Sequence, residues 1–120
     1  MSGEYTDSHM DESSFRRASD HALEELKQSL IRAEEQDDSF EAEEKNGVLN
    51  VLFEDGSAKF VFTPNTPVRQ VWISAQSTSF KLEWDNSRKA FVLPKTGEEL
   101  KVLTERLLRE QLGEPSLSLS

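Results

Sequence analysis

The segment between residues 40 and 93 alternates apolar with polar side chains, and turn signals divide it every few residues. Asn46-Gly47 and Asp55-Gly56 favour tight hairpin turns, because asparagine, aspartate and glycine tolerate the backbone angles that such turns need. Parallel strands would need crossover connections of about a dozen residues or more, for which this spacing leaves no room. The segment therefore predicts an antiparallel meander, and no other feature restricts the fold as strongly.

We predict about six strands in this meander, at the positions where the alternation is clearest. They lie at residues 40–43, 48–53, 58–62, 69–74, 80–84 and 90–93. Residues 63–67 are expected to end the third strand, because proline cannot donate a hydrogen bond to a sheet ladder.

Two amphipathic helices are predicted to flank the strands. The first runs from about residue 13 to residue 35, with Asp11 or Ser13 as its N-cap. Its apolar stripe consists of Phe15, Ala18, Ala22, Leu26, Leu30 and Ala33, with Leu23 beside it. The second is expected to open with a capping box, Thr96-Gly97-Glu98-Glu99, and to end near Gly113 and Pro115. Its apolar face consists of Leu100, Leu103, Leu107 and Leu108.

These elements predict an α+β fold, a two-layer α-β sandwich in which both helices pack on one face of an antiparallel sheet of about six strands. The reason is that an amphipathic helix and a one-sided sheet must each bury an apolar surface. We place the domain at residues 11–113. Residues 1–10 and 114–120 are expected to be flexible tails, because they hold too little apolar surface to order themselves.

The net charge of −9 is confined to one end of the chain. Residues 1–45 hold 14 acidic and five basic side chains, whereas residues 46–120 hold nine of each. Such a chain repels phosphate backbones, so we expect no nucleic-acid partner, and its natural partners are cations and basic protein surfaces. The absence of cysteine excludes disulfides and thiolate ligands. No apolar run predicts a signal or membrane segment, so we expect a cytoplasmic protein.

Carboxylates of the first helix, the first strand and the link between them are candidate metal ligands, because hard cations prefer oxygen donors. They are Asp11, Glu12, Asp20, Glu24, Glu34, Glu35, Asp37, Asp38, Glu41, Glu43 and Glu44. If helix and strand are neighbours, these residues form one surface, where binding without a fixed cage would be weak and exchangeable. The alternative is a solvated acidic face with no ligand.

Trp72 is the candidate anchor for a protein partner. By period-two geometry it shares one face of the sheet with Gln70 and Ser74, while Val71 and Ile73 face the core. An exposed tryptophan suits a protein interface. A shift of one residue would instead bury Trp72 and expose Val71.

No arrangement typical of an active site occurs in the sequence. The two histidines, His9 and His21, lie near no recognisable nucleophile motif, and no phosphate-binding or metalloprotease motif is present. We therefore expect a protein that is not an enzyme. Ferrous oxidation at clustered carboxylates is the enzymatic alternative, but such centres need inward-facing glutamates and histidines.

Three stretches resemble the frataxin family, in particular its bacterial CyaY branch. They are Asn46-Gly47-Val48-Leu49-Asn50-Val51, Phe53-Glu54-Asp55-Gly56-Ser57 and Thr66-Pro67-Val68-Arg69-Gln70-Val71-Trp72-Ile73-Ser74. The openings of the two helices, at residues 11–15 and 96–100, are also similar to that family, so the resemblance extends over about residues 11–112.

The resemblance implies weak, exchangeable binding of ferrous or ferric iron, or of other divalent cations, through the acidic residues. It also implies docking on the cysteine desulfurase and scaffold protein of iron–sulfur cluster assembly through the sheet face that carries Trp72. The expected partner-binding residues are Asn65, Arg69, Gln70, Trp72, Ser74 and Lys81. We therefore expect a monomeric, non-catalytic regulator, with iron-dependent oligomers as a further state. The alternative is a generic acidic interaction module with incidental cation binding.

Two departures from the family pattern bear on these residues. Thr63 stands where the family usually has asparagine, which alters the polar cluster on the sheet face. Lys27, Gln28 and Arg32 occupy later turns of the first helix, where relatives carry several acids. The geometry of an iron site is therefore not carried over.

Overall fold

A computed structural model describes residues 10–120. The predicted tail at residues 1–10 thus lies outside the described residues, except for Met10. Helix α1 spans Glu12–Glu34 and helix α2 spans Leu100–Leu112. The strands are β1 (Phe40–Lys45), β2 (Val48–Phe53), β3 (Lys59–Asn65), β4 (Gln70–Ala75), β5 (Thr78–Asp85) and β6 (Ala90–Val92).

The strands form one antiparallel sheet in chain order, β1-β2-β3-β4-β5-β6. This confirms the predicted meander and the two-layer sandwich. Hairpin turns place Asn46 and Gly47 at φ of 55° and 79°, in the left-handed region that asparagine and glycine tolerate best. In residues 10–120, no helix has the length and apolarity needed to cross a membrane.

The third strand continues through Pro64 to Asn65, so the prediction that it ends at residue 62 was wrong. Phe62 is the last residue of β3 that pairs with β2, whereas Pro64 pairs only with Val71 of β4. Proline is tolerated there because β3 has lost one neighbour and its missing N–H breaks no ladder on that side. A 3-10 turn, Thr66–Val68, then leads into β4.

The core lies between α1, α2 and the inner face of the sheet. From α1, Phe15, Leu26 and Leu30 are fully or almost fully buried, as the predicted stripe requires. The Phe15 ring meets the edge of Phe91 from β6, with centroids 5.8 Å apart. The N-cap of α1 is Asp11, whose carboxylate accepts a hydrogen bond from Ser14 N at 2.7 Å.

The predicted capping box of α2 does not form. Thr96 Oγ1 accepts from Glu98 N at 3.1 Å, within the loop, and the helix begins only at Leu100, whose N-cap Glu99 makes no side-chain capping bond. Glu98 lies in the loop before the helix, and its carboxylate pairs with Arg106 of α2 at 2.7 Å. This ion pair lowers the pKa of Glu98.

Residues 114–120, expected to be a flexible tail, pack against both helices. Leu119 is 8% exposed and belongs to the core, and Leu117 is half-buried. The carbonyl oxygen of Ser120 accepts from Ser29 Oγ at 2.7 Å and from Lys101 Nζ at 2.9 Å. Burial of the two leucines and the hydrogen bonds of Ser120 both favour the ordered position of this segment.

Candidate cation-binding and partner-binding surfaces

Helix α1 lies beside β1, the edge strand of the sheet, so part of the predicted acidic set does come together. We call this the α1–β1 acidic surface. It consists of Asp20, Glu24, Glu34, Glu35, Asp37, Asp38 and Glu44. Asp11 and Glu12 lie at the N-terminal end of α1, about 12 Å along the helix axis from Asp20 and about 33 Å from Glu34.

The two acids at the start of α1 have local roles. Asp11 caps the helix, and its pKa is lowered chiefly by the hydrogen bond from the Ser14 backbone. Glu12 pairs with Arg16 one turn later, at 2.6 Å. Both groups stabilise the helix terminus, where carboxylates suit the helix dipole.

The acids of β1 divide between the two faces of the sheet, because successive side chains on a strand point in opposite directions. Phe40 and Ala42 pack against the core, so Glu44 lies on the helix side with them. Glu41 and Glu43 lie on the outer face, where they are exposed. The expectation of one continuous acidic surface is therefore wrong for these two residues.

Two other carboxylates of the acidic surface accept hydrogen bonds from backbone N–H groups. Glu34 Oε1 accepts from Ala42 N of the edge strand at 2.8 Å. The carboxylate of Asp37 accepts from Ser39 N at 3.0 Å. A hydrogen bond with Glu114 is the main cause that lowers the pKa of Asp37, and the same contact raises the pKa of Glu114.

Lys27 lies between the remaining carboxylates of α1 and the helix side of β1. Its Nζ is 3.0 Å from Glu44 Oε1 and 3.2 Å from Glu24 Oε1. These hydrogen bonds, that from Glu44 first, raise the pKa of Lys27. The pKa of Glu24 is lowered, chiefly by the hydrogen bond from Gln28 and then by Lys27.

Within residues 10–120, no three His, Asp or Glu side chains converge on a position that could hold a metal ion. His21 instead pairs with Glu25 on the same helix, at 3.2 Å, and His9 lies outside the described residues. Carboxylate oxygens are the donors that hard cations prefer. The donor set therefore fits loose association of a cation with exposed carboxylates, and it does not fit a coordination cage.

The outer face of β4 carries Trp72, which is half-buried, while Val71 and Ile73 on the inner face are fully buried. This confirms the predicted orientation and excludes the shift of one residue. Trp72 Nε1 donates to Gln70 Oε1 at 2.8 Å. Gln70 Nε2 donates to Glu83 Oε2 at 3.0 Å on the next strand.

Lys81 completes this group, with its ammonium 4.8 Å from the centroid of the Trp72 ring. A cation at this distance is attracted by the face of the ring. The ring is thus held by Gln70 of its own strand and by Lys81 of β5. We call Gln70, Trp72, Lys81 and Glu83 the Trp72 patch. Neither helix of residues 10–120 covers this patch, because α1 and α2 both pack on the inner face.

The other predicted partner-binding residues lie in different surroundings. Asn65 pairs with Gln70 in the register, and exposed Ser74 pairs with Val61, so both adjoin the patch. Arg69 does not face outward with them. It has a φ of 55°, and its guanidinium donates to the carbonyl oxygens of Met10 and Thr66. Its role is to tie the start of α1 to the turn before β4.

Sequence reasoning missed Glu83 as a member of the patch. Its place could have been found from the register, because Glu83 pairs directly with Gln70 across β4 and β5. The signal is the alternation within β5, where Lys81 and Glu83 share a face and Leu82 points into the core. Trp72 pairs with Thr63 on its other side, so the residue that departs from the family pattern adjoins the ring.

Comparison with known proteins agrees with this architecture. A family model described as a frataxin-like domain matches residues 8–114. The chain therefore belongs to the frataxin-like family, as the sequence resemblance implies.

Its relatives place it on the bacterial CyaY branch. The iron-sulfur cluster assembly protein CyaY of Pseudomonas entomophila (strain L48) is 34% identical over 97 residues, which cover 81% of this chain and 82% of that one. The CyaY protein of Azotobacter vinelandii is 33% identical over 81 residues, 68% of this chain and 73% of the relative. The solved structure of a frataxin from Psychromonas ingrahamii shares the fold, with a TM-score of 0.70 at 17% identity, covering 92% of this chain and 97% of that one.

Proposed function

We propose that this protein is a non-catalytic accessory protein of iron–sulfur cluster assembly in the bacterial cytoplasm. It docks on the complex of cysteine desulfurase and scaffold protein and changes the rate of sulfur transfer or cluster formation. The names of its CyaY relatives support the pathway, and the surfaces described above support the mode of action.

The observation that carries the proposal is the Trp72 patch. A tryptophan whose indole N–H is already bonded to Gln70, and whose ring faces Lys81, loses little conformational entropy when a partner covers it. Large, preorganised aromatic side chains near the centre of an interface contribute most of the binding free energy. The uncovered sheet face therefore suits a protein partner.

We propose that the acidic residues attract a basic partner surface and iron. Glu41 and Glu43 lie on the same outer face as Trp72, so they extend that face with negative charge. This charge accelerates the approach of a basic partner surface, and the effect weakens as salt is added. Ferrous or ferric iron associates weakly with the same exposed carboxylates as a cargo ion.

Cluster formation by a purified cysteine desulfurase and scaffold protein tests the proposal. The rate is measured with and without this protein, at about 50 mM and about 300 mM salt. We expect a change in rate that diminishes at the higher salt concentration. No change at either concentration, with the desulfurase active on its own, would contradict the proposal.

A generic acidic interaction module is the second candidate, favoured by the absence of converging metal ligands within the described residues. It predicts salt-sensitive, nonspecific cation binding and no effect on cluster formation. Ferrous oxidation is distinguished by oxygen consumption, which would be catalytic and would be lost when one or two carboxylates are replaced. We expect no catalytic oxygen consumption.

A further inference from the structure

We infer that Lys27 determines where cations associate with this protein, because its ammonium takes the position that a divalent cation would need between α1 and β1. The inference rests on the proposed cation association. It concerns the place between Glu24 and Glu44, and the proposed docking through the Trp72 patch does not depend on it.

The ammonium of Lys27 lies between two carboxylates, as a bound cation would. Its Nζ reaches carboxylates of two elements, Glu44 of β1 at 3.0 Å and Glu24 of α1 at 3.2 Å. Within residues 10–120, Lys27 forms ion pairs with these two carboxylates and with no other acidic group. A Ca²⁺-type ion binds carboxylate oxygens at about 2.3–2.6 Å, so it would have to occupy nearly the same position as the ammonium.

The stem of Lys27 is packed, which limits the positions that its ammonium can take. Its side chain is only 22% exposed, compared with 54% for Glu24 and 47% for Glu44. The ammonium itself is exposed, so a divalent cation would compete with it directly for the same two carboxylates, and repulsion between the two positive charges opposes binding at that position. Gln28 holds Glu24 in place with a further hydrogen bond at 2.9 Å, so the arrangement is fixed from both sides.

Other carboxylates of α1, of the loop after it and of the outer face of β1 have no such internal cation. Asp20, Glu35, Asp38, Glu41 and Glu43 are exposed and form no ion pair within residues 10–120. Cations are therefore directed to the loop after α1 and to the outer face of β1. They are kept away from the crossing of α1 and β1, although two carboxylates meet there.

Paramagnetic broadening by Mn²⁺ tests this inference. The amide signals of ¹⁵N-labelled full-length protein are recorded with increasing Mn²⁺, for the wild type, Lys27→Met and Lys45→Met. Lys45 is the matched control, because it lies on β1 next to Glu44, is exposed and forms no ion pair among the described residues. Lys27→Met keeps most of the apolar stem of the half-buried side chain and removes its ammonium.

In Lys27→Met we expect broadening near Glu24 and Glu44 at a Mn²⁺ concentration about three- to tenfold lower than in the wild type. Lys45→Met should change it less than about twofold, since it alters only the general field. The gain should disappear in the double variant Lys27→Met/Glu44→Gln. Well-dispersed spectra show that each variant is folded.

Equal changes in Lys27→Met and Lys45→Met would overturn the inference, because overall charge alone would then explain them. It would also be overturned if Lys27→Met gained no binding while Glu41 and Glu43 still bound Mn²⁺. Absence of broadening in the wild type and both single variants would instead contradict the cation association in the proposed function. The two failures are therefore distinguishable.

Discussion

The α1–β1 acidic surface and the Trp72 patch differ in how their polar groups are arranged. In the Trp72 patch, four side chains from two strands hold one another, and the indole ring is fixed at its N–H and on its face. In the acidic surface, Glu34 bonds to a backbone N–H, Glu24 and Glu44 share an ammonium, and the exposed acids point in different directions. A high local charge therefore does not by itself bring its groups into one arrangement, whereas the hydrogen-bonded Trp72 patch holds its groups in place.

The substitution Trp72→Ala should separate the two surfaces most clearly. We expect it to weaken binding to the desulfurase–scaffold complex by about 30-fold, or about 2 kcal/mol, because it removes the anchor of the interface. The fold should survive, since the ring packs on no part of the core. Isothermal titration calorimetry gives the affinity and thermal unfolding checks the fold.

Val102→Ala is the matched control for this change. Val102 is 52% exposed and lies on α2, on the opposite layer of the sandwich. It should leave the affinity unchanged. Unfolding of Trp72→Ala, or equal effects of the two substitutions, would show that the Trp72 patch is not the anchor.

Replacing both Glu41 and Glu43 by glutamine tests the contribution of charge on the outer face. We expect association to be about five- to tenfold slower at low salt, with little change in dissociation, because surface charge acts mainly on the encounter. Stopped-flow measurements at several salt concentrations provide both rates. Glu54→Gln, at an exposed turn position, is the control. A loss that persists at high salt would indicate direct contacts in place of steering.

Gln70→Ala tests whether the network around Trp72 is needed. Without Gln70 the indole N–H loses its partner and the ring gains rotational freedom, so we expect affinity to fall about threefold. The tryptophan fluorescence anisotropy of the isolated protein should fall at the same time. An unchanged affinity would mean that the ring alone, in any orientation, is sufficient.

Glu114→Gln tests the close carboxyl pair beside the acidic surface and should have the smallest effect. The pKa of Glu114 is raised by Asp37, so its favourable contribution is present below the unfolded pKa and is lost as pH rises through the raised folded value. Glutamine keeps a donor for Asp37 at every pH. We expect Tm to rise by about 2 °C at pH 7 and to equal that of the wild type in acid. A lower Tm at pH 7 would contradict this.

Much of this fold follows from local sequence patterns. The meander follows from Asn46-Gly47 and Asp55-Gly56, and the orientation of Trp72 follows from the period of two in β4, because both depend on neighbouring residues. Pro64 in β3 and the contacts of Arg69 did not follow. They depend on where β2 ends and on where Met10 lies, which are tertiary facts.

In the candidate sites, too, the features that depend on tertiary packing could not be predicted from the sequence. The composition of the acidic surface was predictable, but its division at β1 was not, because it requires knowing which face α1 covers. The ammonium of Lys27 between Glu24 and Glu44 joins residues from two separate elements, and only the packed structure reveals it. The packing of Leu119 depends likewise on a gap between two helices that are far apart in the chain.

NMR cross-saturation from the unlabelled desulfurase–scaffold complex to the labelled protein would show which surface is in contact. We predict attenuation of the outer face of β3, β4 and β5, including the indole N–H of Trp72. Attenuation confined to α2 and the helical layer would contradict docking through the Trp72 patch.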